Sequence, residues 1–178
     1  MTNYQKARDW MHLASLELRT ALATFRMDDF SACIQHCQQS LERALKSLLA
    51  FLGKEVKHTH APSLELRRGI LEDPGELQRL ELSQDRIELL VDIVTWSSSL
   101  EGQGTMPRYG WETAERIIPP DEIYDRELVS LLVGHFLNVM SAICQFHRLN
   151  NVEEIIEVVT DVEAGIEEFR ELGSWLPE

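Results

Sequence analysis

The chain has 178 residues, room for one domain with a full core, and its apolar fraction of 44% excludes an intrinsically disordered chain. The net charge of −13 argues against an extended nucleic-acid footprint, since an acidic surface repels phosphate backbones. Three cysteines, an odd number, point to reduced thiols rather than a disulfide framework, and MTNYQKARDW does not read as a secretory leader, so a cytoplasmic location is expected. The charge is uneven: eight Lys/Arg stand against six Asp/Glu in residues 1–60, eight against fifteen in 61–150, and one against nine in 151–178. A local basic or neutral site in the first third stays open.

The first periodic segment covers Asn3 to Arg26, with Ala7, Trp10, Met11, Ala14, Leu18, Ala21, Leu22 and Phe25 at helical spacing on one face. Leu13 and Leu16 fall off that stripe, as surface leucines or as contacts for a second chain. Met27-Asp28-Asp29 breaks the helix, and either aspartate can cap the next one, which runs to Leu52 and stops at Gly53. Cys33, Cys37, Leu41, Ala44, Leu45, Leu48, Leu49 and Leu52 share its apolar arc, opposite Gln35, Gln39, Glu42, Arg43 and Lys46. Gln38 lies at the edge of the arc, where its amide needs a partner if covered.

A polar loop, KEVKHTHAPS, leads to a short helical piece and then Pro74-Gly75. The spacing predicts one helix from Gly75 to Trp96, with Leu80, Ile87, Leu90, Val91 and Val94 facing inward. Ser97 to Pro120 reads as a long irregular segment holding Arg108, Tyr109 and Trp111, and long loops often carry function. A helix follows from Asp121 to Leu149, apolar almost all round between Leu128 and Phe146. Its polar interruptions and acidic flanks predict a helix buried by neighbours rather than a membrane span. After Asn150-Asn151, a last amphipathic helix runs to Leu172 on Val152, Ile155, Ile156, Val159, Val162, Ile166, Phe169 and Leu172. No segment alternates as a strand does. The prediction is an all-α, up-and-down bundle of four to five long antiparallel helices spanning 1–150, with 151–178 an added acidic helix packed on the same domain.

Ala7, Trp10, Ala14, Glu17-Leu18 and Ala21, then Phe30, Ala32, CQQSLERALKSLL and Gly53, then Thr59-His60 and Leu64, resemble the HEPN domain family. Pro107-Arg108-Tyr109 resembles its RYP element, with Gly110 where proline is usual. The resemblance covers roughly residues 4–148 and is carried by the combination rather than by any single element. It implies a helical bundle that forms a homodimer or partners a small nucleotidyltransferase, in a toxin–antitoxin-like arrangement, and that binds a nucleotide. A second branch of the family cleaves RNA with an Arg, four to six intervening residues and a His. No arginine here has that spacing: Arg8 and His12 are too close, Arg126 and His135 too far.

Read residue by residue, Cys33, His36 and Cys37 form a metal-like cluster with Cys144 and His147 as further ligands, but both cysteines lie on the apolar arc and read as core. Gln39, Arg43 and Lys46 offer an amide and two cations one turn apart, suited to phosphate and ribose, or else a solvated face carrying a Glu42–Lys46 pair. Arg108 and Tyr109 combine a phosphate donor with a stacking ring, or cap and plug the bundle end. His58 and His60 belong to the loop, where His60 fixes the chain or touches a ligand. His135 reads as a satisfied histidine of a buried helix. The expected nucleotide-binding set is Gln39, Arg43, Lys46, His60, Arg108 and Tyr109, with no catalytic residue, cofactor or metal. The alternatives are a diverged metal-independent ribonuclease whose Arg and His come together from separate segments, such as Arg108 with His135, and a purely structural protein-interaction dimer.

Overall fold

Two helices paired antiparallel set the frame. In the computed structural model, which describes residues 3–56 and 60–172, α1 (Tyr4–Arg26) begins where the Asn3 side chain accepts from the Lys6 amide at 2.9 Å. Asp28 turns the chain at a φ of +57°, and Asp29 caps α2 (Phe30–Phe51) by accepting from the Ala32 amide at 3.2 Å. Small residues line the seam between them. Ala7, Ala14, Ala21 and Ala44 are fully buried, and the Ser40 and Ser47 hydroxyls donate to the Ala14 and Ala7 carbonyls, each at 2.8 Å. Buried hydroxyls satisfied in this way let the backbones approach without orphaned polar groups.

The predicted apolar faces of both helices are buried throughout, with Trp10 half-buried at the edge and Leu13 and Leu16 exposed. Gln38 finds the partners its position demands: its amide nitrogen donates to the carbonyls of Leu100 (2.9 Å) and Gly104 (3.2 Å), fastening a distant segment to α2.

Beyond the loop, α3 (Pro62–Leu66) runs into a π-helical turn over Arg67–Leu71, and Asp73 caps α4 (Pro74–Leu80) through the amides of Gly75 and Glu76. The single helix expected from Gly75 to Trp96 is in fact two. Glu81 adopts left-handed backbone at φ +48°, Ser83 is extended, and α5 (Gln84–Glu101) starts anew. Of the expected stripe, Leu90 is buried and Leu80 and Val94 pack half-buried against the core, while Val91 is 46% exposed and Ile93, Ser97 and Leu100 are buried in addition.

The serine run at 97–99 is helical, not irregular. Each hydroxyl donates back to a carbonyl three or four residues earlier (Ser97 to Ile93, Ser98 to Thr95, Ser99 to Trp96), and buried Leu100 anchors the end.

The all-α expectation holds, with one small two-stranded sheet added to it. After α6 (Met106–Tyr109), β1 (Trp111–Glu112) and β2 (Ile117–Ile118) pair antiparallel, Trp111 opposite Ile118. Two-residue strands are too short to show alternation. What makes them is Gly110, at φ +77°, whose absent Cβ would lie 2.1 Å from the Ile118 carbonyl oxygen. Proline, fixed near φ −65°, could not take this conformation.

The long helix is also shorter at its start than expected. Pro120–Ile123 forms a separate turn, α7, buried Tyr124 leaves helical geometry, and Asp125 caps α8 (Arg126–Asn150) by accepting from the Leu128 amide at 2.8 Å. Although α8 is long and apolar enough to cross a membrane, it is packed by α2, α5 and finally α9 (Glu153–Leu172). Asn151, left-handed at φ +48°, reverses the chain so that α9 lies against α1 and α8, its Phe169 ring 5.4 Å from that of Phe25.

Candidate functional site

The cysteines are core. Cys33, Cys37 and Cys144 are buried free thiols, and burial pushes the Cys37 and Cys144 thiols well up. His36 turns the other way, its Nδ1 2.6 Å from Glu17. Among the described residues no three His, Cys, Asp or Glu side chains are grouped as a metal site would need.

The outer face of α2 instead forms one wall of a cleft of about 460 Å³. The wall is Gln35, Gln38, Gln39, Glu42 and Arg43; His60, Glu101 at the end of α5, and Gly104, Thr105, Pro107 and Arg108 enclose it. Gln38 holds this shape, because its two bonds tie the α5–α6 connection against α2. Of the six residues singled out by sequence, Gln39, Arg43, His60 and Arg108 line the cleft. Lys46 and Tyr109 do not. Lys46 is 6% exposed, bonded to Glu42 and set 5.2 Å over the Trp10 ring, whereas Tyr109 is 66% exposed outside the cleft with the Arg108 guanidinium 5.9 Å over its ring. Thr59 and His58 lie outside the described residues.

The lining cations are unequal. Glu17, on α1, is a hub: Arg43 reaches its carboxylate at 2.6 Å and also donates to the Leu13 carbonyl at 3.2 Å. With its amide nitrogen turned toward Glu17, Gln39 donates to both carboxylate oxygens and its oxygen accepts from Gln35. Glu42 takes Lys46 on one oxygen and stands 3.1 Å from His60 Nδ1 on the other. Arg108 differs, as its guanidinium forms no ion pair with a carboxylate among the described residues.

Glu101 is the matching exception among the acids. Its carboxylate accepts from the Ser63 amide (3.1 Å) and the Ser63 hydroxyl, with no cation beside it among the described residues. Burial raises its pKa above the ordinary carboxylate value, the Ser63 hydrogen bonds oppose that rise, and the Glu42 charge adds to it. Sequence reading missed Glu101 because the serine run before it masked the helix, and missed the Glu17 hub because its partners lie 19 and 26 residues away on another helix.

The alternative pairing of Arg108 with His135 is not assembled. His135 packs edge-on to Trp96 at 5.7 Å, outside the cleft lining, and its Nδ1, far from being satisfied as expected, is buried with no partner among the described residues. Arg126 is held by Asp28 and lies 5.4 Å over the Phe30 ring. His147 belongs to the core: it is 1% exposed, 3.2 Å from the Ser47 hydroxyl, and burial drives its pKa down to about 3.

The family model of the HEPN domain matches residues 7–125, from the first turns of α1 to the cap of α8. No curated protein and no solved structure matches the chain.

Proposed function

We propose, for a chain that belongs to the HEPN domain family, a non-catalytic role: a helical module that pairs with a second copy, binds a nucleotide in the cleft on α2, and serves a small nucleotidyltransferase as partner. The observation that carries the nucleotide half is Arg108, a guanidinium at the cleft wall with no carboxylate bound to it among the described residues, beside the exposed Tyr109 ring. A fork of N–H donors of this kind fits phosphate oxygens. The cleft volume suits a ligand of nucleotide size. Pairing with a second copy is supported by Leu13 and Leu16, exposed on α1.

Arg43, Arg108 and His60 all line the cleft, but Arg43 is paired with Glu17 and His60 stands against Glu42, and the spaced Arg–His motif of the ribonuclease branch is absent from the sequence, which supports the non-catalytic reading. Calorimetric titration with ATP, GTP, AMP and GMP tests the reading. Binding is expected for the native chain and a loss of about tenfold or more for Arg108→Ala, the scale of one charge-assisted contact. Silence across all four ligands would remove the nucleotide half. RNA cleavage abolished by His135→Ala would remove the non-catalytic half.

A further inference from the structure

The charges of the cleft balance in a particular way. Arg43 is spent on Glu17, and Lys46 on Glu42, so the α2 cations leave no surplus for a ligand. Among the described residues, what remains is one guanidinium, Arg108, and one carboxylate, Glu101, whose hydrogen bonds come from a neutral serine. A ligand complementary to that pair carries one anionic group and, at the other end, a donor edge, because an ionised carboxylate only accepts. Each further phosphate brings charge into a cleft that holds Glu42 and Glu101 and no second free cation among the described residues, where the partly desolvated repulsion is stronger than in bulk water.

We infer that the cleft takes a nucleoside monophosphate in preference to the di- and triphosphates, with Arg108 on its single phosphate and Glu101 on an N–H edge of its base. This rests on the nucleotide reading above and adds the charge class of the ligand. Guanine, which presents adjacent N–H donors, is the base that fits a carboxylate most fully.

The test is calorimetry on the full chain with guanosine, GMP, GDP and GTP, and with the matching adenosine series. From nucleoside to monophosphate the affinity should rise about tenfold, the value of one guanidinium–phosphate contact, and from mono- to triphosphate it should fall about tenfold or more. In Arg108→Ala the first step disappears. In Glu101→Gln, which removes a negative charge from the wall, the second step shrinks while the first persists. Triphosphates binding more tightly than monophosphates to the native chain would overturn the charge inference and leave the nucleotide reading standing. So would nucleosides binding as tightly as monophosphates. Silence of both complete series would instead overturn the nucleotide reading itself.

Discussion

Acidification from about pH 7.5 to 5 should cost this fold stability through His147, a histidine too enclosed to accept a proton. Its ring lies 5.2 Å from that of Phe51 and 6.2 Å from that of Phe146, with one nitrogen near the Ser47 hydroxyl and the other without a partner among the described residues. Burial lowers its pKa from 6.5 to about 3, so the neutral form is the native one. The sign follows from proton counting. Above pH 6.5 neither folded nor unfolded chain holds the proton and there is no penalty. Between 6.5 and about 3 the unfolded chain takes it up and the folded chain refuses it, so stability falls as pH falls; below about 3 the loss is complete. At about 1.36 kcal/mol per pH unit, this one group costs about 2 kcal/mol at pH 5.

Urea unfolding of the native chain and of His147→Gln at four pH values across that interval isolates the effect. The variant loses ring packing and is less stable near pH 7.5 by about 1–2 kcal/mol, but the gap should close, then reverse or vanish, as the pH drops. Other titrating groups, including Glu101, act in both proteins and cancel in the difference. Parallel pH dependences in the two proteins would mean that the folded chain protonates His147 readily, and the argument from burial would fail.

Other perturbations follow from specific contacts. Gly110→Ala places a methyl against the Ile118 carbonyl oxygen at a φ that side chains seldom adopt, so the Trp111–Ile118 pairing should be lost with about 2 kcal/mol of stability; an unchanged melting curve and unchanged Trp111 fluorescence would refute it. Glu17→Ala strips the hub of its carboxylate, costing about 1–2 kcal/mol in denaturant unfolding. The same change releases Arg43 into the cleft and should tighten GTP relative to GMP; an unchanged ratio would show that Arg43 is not in charge contact with the ligand. Static light scattering at micromolar concentration should give twice the mass of one chain, falling toward one chain on Leu13→Asp with Leu16→Asp. A native monomer would dispose of the self-pairing proposal.

Burial was legible wherever the helical period was long. Every apolar position assigned to the arc of α2 is buried, and the same rule found the inner face of α1 and most of α9, because one repeated stripe over five or six turns leaves little choice of face. It failed at Glu81 and in the serine run, where a single left-handed residue and three side-chain-to-backbone bonds decide the local path, and neither has a period. The site was half legible. Arg108 and His60 came from the family pattern and do line the cleft, but whether a cation is free or occupied depends on what sits on the facing helix. Lys46 is occupied by a neighbour one turn away, which spacing foretold; Arg43 is occupied from α1, which spacing on α2 could not reveal.

The matched family span ends at Asp125, one residue before α8 begins, yet α8 and α9 cover α2, α5 and α1. A fragment cut at that boundary would strip the cover from Leu18, which lies against Gly165, from Phe25, which meets Phe169, and from Phe51, which meets Phe146, so the stretch that defines kinship is not a self-sufficient piece of matter. Expression of residues 7–125 alone should give aggregate, and any graft that moves this module into another protein has to carry its two closing helices along.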